Sequence, residues 1–212
     1  MILHGYFRSS AAYRVRIALN LKGVDYEQKF VHLRNNDQNL EQFRNLNPQG
    51  LVPVLEDSGT VISQSMAIIE YLNEVHPTPS LLPGSLEERA YVRSISMAIA
   101  CDVHPLNNLR VLRYLDYNFE LSQCQRNEWY QHWIKVELTA LEAKLTAYGN
   151  NGCFCFGDSP TVADVCLVPQ MSNARRFNCD LEDYPNLVQI DSSLRQLEAF
   201  EKAAPENQPD AE

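Results

Sequence analysis

Phe7-Arg8-Ser9-Ser10-Ala11-Ala12-Tyr13-Arg14-Val15-Arg16-Ile17-Ala18-Leu19 decides the fold: a polar turn runs straight into a segment whose apolar positions recur at helical spacing. Upstream, Met1–Tyr6 is a short apolar stretch, and downstream Tyr26–His32 reads as a second strand, so the order is strand, helix, strand. The start of such a helix exposes backbone N–H groups and the positive end of the helix dipole. A hydroxyl there, Ser9 or Ser10, is either an N-cap that finishes the helix or a group that helps hold an anion.

Further along, Leu51–Glu56 and Thr60–Ser63 are strand-like runs separated by Asp57-Ser58-Gly59, which is hairpin punctuation. Pro53 lies inside the first of them. A proline there is compatible with a trans bond at an edge, or with a cis bond that turns the Val52 N–H and C=O outward, where an extended peptide can pair as an added strand. Gln64-Ser65 then opens a helix that runs toward His76, a second helix start carrying a hydroxyl, which is again either a cap or a carboxylate site. Three such points in one small α/β domain describe a groove for a small peptide acid.

Pro77, Pro79 and Pro83 break the pattern, and the predicted division is an α/β domain over 1–78, a Pro-rich linker over 79–84 and an all-helical domain over 85–212. Within the latter, Glu87–Tyr117, Asn127–Tyr148, Val162–Phe177 and Leu187–Phe200 carry helical patterns, the first interrupted at Pro105. Thr161 and Asp164 have capping-box spacing, and Trp129 and Trp133, four residues apart, read as core. The composition of 203–212 predicts a mobile or surface-draped end.

A chain of 212 residues with 45% hydrophobic and 21% charged residues is an ordinary globular protein. Its formal net charge of −9 argues against a nucleic-acid partner, because phosphate backbones need a basic face. No leader pattern and no membrane-length apolar run is found, so the expectation is a cytoplasmic protein with no membrane partner. Six cysteines, at 101, 124, 153, 155, 166 and 179, show no C-x-x-C pair or zinc-ribbon spacing, which predicts reduced thiols. Cys101 and His104 form at most half of a metal site, and no metal is expected.

Phe-Arg-Ser-Ser-x-x-Tyr-Arg-Val-Arg-Ile-Ala-Leu, Asn-Pro-Gln-Gly-Leu-Val-Pro, Gln-Ser-Met-Ala-Ile-Ile-Glu-Tyr-Leu and Phe-Gly-Asp-Ser-Pro-Thr-Val-Ala-Asp resemble the zeta class of glutathione transferases. The likeness continues through Pro-Leu-Asn-Asn-Leu-Arg, Leu-Val-Pro-Gln and Ala-Arg-Arg-Phe to a Gln-Pro-Asp tail, nearly the whole chain. It implies a thioredoxin-like N-terminal domain holding glutathione, an all-α C-terminal domain over the acceptor site, and a homodimer. Carried over by motif, Gln64 and Ser65 hold the γ-glutamyl end, Val52 pairs with the cysteinyl backbone beside cis-Pro53, Gln49 serves the glycyl side, and Ser9 or Ser10 faces the sulfur. His104, Asn107 and Asn108 supply polar contacts to glutathione or substrate, although His104 equally suits the carbonyls freed by Pro105. Arg8 and Arg176 are the implied carboxylate-binding residues, with Arg110 and Arg175 either joining them or serving as surface charges or salt-bridge partners.

The implied activity is glutathione-dependent cis–trans isomerisation of maleylacetoacetate to fumarylacetoacetate in tyrosine and phenylalanine breakdown, by thiolate addition, bond rotation and elimination. Maleylpyruvate as acceptor, or a conjugating transferase or α-halo acid dehalogenase, are the alternatives. Ala11 stands where many members carry cysteine, so the nucleophile implied here is the thiol of glutathione itself.

Overall fold

Four short strands make one mixed sheet in the order β2-β1-β3-β4, where β1 is Ile2–Gly5, β2 Glu27–Phe30, β3 Val54–Asp57 and β4 Thr60–Ser63. This is the architecture of a computed structural model that describes residues 1–149 and 152–212. β1 pairs parallel with β2, as a strand–helix–strand crossover requires, and antiparallel with β3, which returns through the hairpin to β4. Ser58 and Gly59, at φ +50° and +86°, make the hairpin turn that Asp57-Ser58-Gly59 predicts. α1 (Ser10–Leu21) and α3 (Ser65–Val75) pack together, with Ile17, Leu19, Ile68, Ile69 and Leu72 fully buried. α2 (Glu41–Leu46) sends Phe43 into a small cluster with Val31 and Val54, on which Leu46 and Val52 pack.

The chain divides into two units, Met1–Leu81 together with Gln196–Glu212, and Leu82–Arg195. The start of the proline-rich stretch is fastened to the first unit: the Lys22 ammonium donates to Asn73 Oδ1, the His76 carbonyl and the Pro79 carbonyl at 2.8, 2.7 and 2.5 Å. The expected helical domain over 85–212 is corrected at its far end. Leu187–Phe200 is not one helix but α9 (Pro185–Leu194) and α10 (Glu198–Ala203), and α10 packs on α1 in the first unit.

Of the two alternatives for the tail, mobile or surface-draped, the structure has the second. Gln208 is buried, donates to the Lys202 and Ala204 carbonyls at 2.8 Å each, and accepts from Gln28 of β2 at 3.2 Å. Asp210 Oδ2 accepts the Phe7 N–H at 3.0 Å, and Glu212 pairs with His32 and Arg34 at 2.5 and 3.2 Å. A proline- and acid-rich composition reads as mobile only when its polar groups lack partners on the body of the protein.

The second unit is all helical: α4 (Leu86–Met97), a π-helical segment Ala98–Val103, α5 (His104–Leu106), α6 (Leu109–Phe119), α7 (Gln123–Tyr148), α8 (Val162–Arg176) and α9. The pattern over Glu87–Tyr117 is therefore four pieces. Pro105 lacks the N–H that would continue the ladder, and the widened π turn just before it absorbs the mismatch. Ile134, Leu138, Val165, Leu167 and Met171 form its core with Val92, Ile95 and Ile99. Among the described residues no helix is long and apolar enough to cross a membrane, and no three metal-type side chains cluster.

Candidate active site

Strand register brings the turn, the proline and the second helix start to one end of the sheet. His4, at the end of β1, pairs with Val54, the first residue of β3, and Val54 pairs in turn with Ser63, the last residue of β4. The chain leaves β1 there toward Ser9, enters β3 there from Val52-Pro53, and leaves β4 there into Gln64-Ser65. One hydrogen bond, from Arg14 Nη1 to Ser65 Oγ at 3.3 Å, links α1 to the start of α3.

Ser9 is the N-cap of α1. Its Oγ accepts the Ala12 N–H at 3.2 Å, which leaves the hydroxyl proton available for donation. Ser10 is the first helical residue and only 8% exposed. Arg8 is half-buried, with its guanidinium carbon 4.9 Å from the centre of the Phe7 ring. Neither α1 nor α3 has an acidic residue in its first turn, so the dipole end of each is uncompensated by a carboxylate.

Val52-Pro53 is a cis bond, and Val52 lies ahead of the paired residues of β3. The preceding loop is braced by buried Asn47, whose Nδ2 donates to the Leu51 carbonyl at 2.8 Å and whose Oδ1 accepts the Gln49 N–H at 3.1 Å. Gly50 has φ +62°, and a Cβ there would come within 2.8 Å of Arg44 Cζ and 2.9 Å of the Gln38 carbonyl oxygen, so the loop needs glycine. Gln64 Nε2 donates to Gln49 Oε1 at 2.9 Å, which joins two of the predicted residues directly. Gln64 itself has φ +73°, ψ +116° and makes no side-chain cap bond. A non-glycine residue in that region stores about 1–3 kcal/mol, and such outliers concentrate at ligand clamps. Ser65 is 6% exposed.

Two arginines of α1 escaped the sequence reading. Arg14 and Arg16 are each 1% exposed. Arg16 donates to the carbonyls of Ala203, Tyr6 and Phe7 at 2.9, 3.5 and 3.0 Å, so it ties the turn to the end of α10. Burial pulls its guanidinium down to about 10, still charged at neutral pH. Their signal was two cations embedded in an otherwise apolar stripe of α1, which only buried acceptors can satisfy. Tyr6 is buried against Phe7 and His32, and burial raises its hydroxyl above the ordinary phenol value, which makes it a poor activating group.

In the second unit the predicted residues fare differently. Arg175 takes the salt-bridge alternative: its Nη2 lies 2.6 Å from Oδ2 of Asp191, a carboxylate with no exposure, so its charge balances a buried acid. Asn107 Nδ2 donates to the Tyr130 carbonyl at 3.2 Å, and Asn108 caps α6 by accepting the Arg110 N–H at 3.0 Å, so both amides serve the fold. Arg110 is exposed and His104 half-buried. Arg176 is exposed, bonded to Asn173 Oδ1 at 3.0 Å and poised over the Phe177 ring at 5.2 Å. Trp129 is not wholly absorbed by apolar packing, because its indole N–H donates to the Leu106 carbonyl at 2.9 Å.

The sheet is that of a thioredoxin-like domain, and the profile of the glutathione S-transferase N-terminal domain matches residues 1–74. The chain is 49% identical to the probable maleylacetoacetate isomerase of Vibrio cholerae, across all of this chain and 98% of that protein. It superimposes with a TM-score of 0.98 and 45% identity, over the full length of both chains, on the holo structure of maleyl pyruvate isomerase, described as a bacterial zeta-class glutathione S-transferase. With maleylacetoacetate isomerase from Methylobacterium extorquens AM1, solved with bound malonate and glutathione, the TM-score is 0.97 at 38% identity, again over both full lengths. The chain belongs to the zeta class of the glutathione S-transferases.

Proposed function

We propose that this chain is a glutathione-dependent cis–trans isomerase of a maleyl diacid, with maleylacetoacetate as its acceptor and fumarylacetoacetate as product. The observation that supports the reading is the register that lines up His4, Val54 and Ser63 at one end of the sheet, beside the segments carrying Ser9, Val52-Pro53 and Gln64-Ser65. These groups fit a tripeptide acid. The α3 start, with the Ser65 hydroxyl and no competing acid, suits the γ-glutamyl carboxylate. Val52, ahead of the β3 ladder, suits backbone pairing, and Gln49, held to Gln64, suits the glycyl side.

Glutathione, when bound, supplies the thiol nucleophile that lets a blocked double bond become single and rotate. The chain's own residues orient that thiol and favour its ionised form: Ser9 donates its hydroxyl proton to the sulfur, and the α1 dipole end favours negative charge beside it. Arg8, on the same turn, binds a carboxylate of the acceptor. Ala11, in place of the cysteine many members carry, leaves the turn without a protein thiol. A cytoplasmic homodimer is part of the same reading.

Incubation of the purified protein with each cis diacid, with and without glutathione, tests this directly. Trans product should form only with glutathione, and faster from maleylacetoacetate than from maleylpyruvate, the acceptor of the superimposable maleyl pyruvate isomerase. Isomerisation without glutathione, or build-up of a stable adduct, overturns the reading. Faster turnover of maleylpyruvate moves the acceptor and leaves the chemistry in place.

A further inference from the structure

Residues 208–212 reach the turn that carries Ser9. Asp210 Oδ2 accepts the Phe7 N–H at 3.0 Å, two residues before Ser9, while the carbonyl of the same Phe7 accepts from Arg16 at 3.0 Å. The Phe7 backbone is therefore held at its carbonyl by a buried cation and at its N–H by a carboxylate 203 residues away in sequence. The second oxygen, Asp210 Oδ1, is buried and makes no hydrogen bond among the described residues. A carboxylate that leaves one oxygen without a partner is costly to keep for packing alone. Gln208, bonded to Gln28 and to the end of α10, fixes where Asp210 stands.

We propose that Asp210 is a positioning residue for the catalytic turn: it fixes the Phe7 N–H and so keeps the Ser9 hydroxyl and the start of α1 aimed at the glutathione sulfur. The assignment rests on the glutathione reading above. The charged and titratable groups around this turn and Arg16 are Tyr6, Arg8, Tyr13, Arg16, Tyr26, His32, Arg34, Asp210 and Glu212. Two routes from Asp210 to the thiol are distinguishable because they have opposite signs. As a bare negative charge the carboxylate disfavours a thiolate nearby, so removing it lowers the thiol pKa. As a positioning acceptor it favours the thiolate, so removing it raises that pKa.

Asp210→Asn keeps an oxygen acceptor for the Phe7 N–H and loses the charge, whereas Asp210→Ala loses both. The readings are the pKa of bound glutathione, followed by thiolate absorbance, the glutathione dissociation constant by calorimetry, and kcat. Asp210→Ala is expected to raise the thiol pKa by about one unit and lower kcat about tenfold, with glutathione affinity within twofold because the α3 start is untouched. Asp210→Asn should restore both the pKa and kcat to near the parent values. Lowered thiol pKa in both variants, or no change in Asp210→Ala, overturns the assignment. Should Asp210→Ala not fold, Asp210→Ser, whose hydroxyl is one bond too short for Phe7, gives the same readings. Parent protein that binds no glutathione overturns the underlying reading instead, before any variant is made.

Discussion

The two units begin their helices in opposite ways. In the second, each long helix starts against a side chain that closes it: Ser85 with Glu88 at α4, Ser122 with Gln125 at α7, and Thr161 with Asp164 at α8. α6 is capped by Asn108, and α9 by Glu142, whose carboxylate takes the Asn186 and Leu187 N–H groups at 3.0 and 3.1 Å. In the first, α1 and α3 have no acid in the first turn, and Gln64 adds no side-chain cap. The second unit uses its polar side chains to satisfy orphan donors internally, which stabilises the fold. The first caps α1 with a neutral serine and leaves α3 without a side-chain cap, so neither start carries an acid that would compete with an anion.

The comparison predicts its largest effect at Asp164. That carboxylate has no exposure and accepts from Thr161 N, Thr161 Oγ1 and Cys155 N at 2.7, 2.7 and 2.8 Å. Burial raises its pKa, and the hydrogen bonds from Cys155 and Thr161 oppose that shift. Asp164→Ala strands these donors and should cost about 4 kcal/mol of stability, read by urea unfolding. Glutathione affinity of the folded fraction should stay within twofold. A stability loss under about 1 kcal/mol would mean the second unit's caps are not what hold it.

Much of this contrast was legible in advance. Thr161-x-x-Asp164 spells a capping box, and the runs around Ser9, Pro53 and Ser65 are marked by residues whose chemistry acts within a few positions. What stayed hidden depends on partners distant in sequence. Arg14 and Arg16 look like exposed helix charges until Ser65 and the carbonyls of Tyr6, Phe7 and Ala203 are seen around them. Arg175 suits a ligand, the surface or a salt bridge equally until Asp191 is found beneath it. The tail reads as mobile or surface-draped until Phe7, Gln28, His32 and Arg34 supply the partners that drape it. Spacing reports caps and turns; it does not report which buried charge meets which.

Ser65 sharpens the comparison from the other side. Its hydroxyl is buried, accepts from Arg14 and sits at a helix start with no acidic competitor. Ser65→Ala should weaken glutathione binding by about 2 kcal/mol, roughly thirtyfold, in calorimetry. The cost to folding should be smaller, about 1 kcal/mol, from the acceptor Arg14 loses. Were the folding cost the larger of the two, Ser65 would belong with the caps of the second unit.

Ser9 carries the most informative change, because it caps a helix and faces the proposed sulfur at once. Ser9→Ala removes the acceptor for the Ala12 N–H and should cost about 1 kcal/mol in urea unfolding. It also removes the donor proton, so the pKa of bound glutathione should rise and turnover fall. Ser9→Asp separates the two roles, since aspartate caps as well as serine but offers no proton and adds negative charge. Stability should return to the parent level while the thiol pKa rises further than in Ser9→Ala. A parallel Ser10→Ala should leave that pKa unchanged, because Ser10 already lies within the first buried turn of α1. If Ser10→Ala alone shifts it, the hydroxyl serving the sulfur is Ser10, and Ser9 is a cap of the same kind as Ser85 and Ser122.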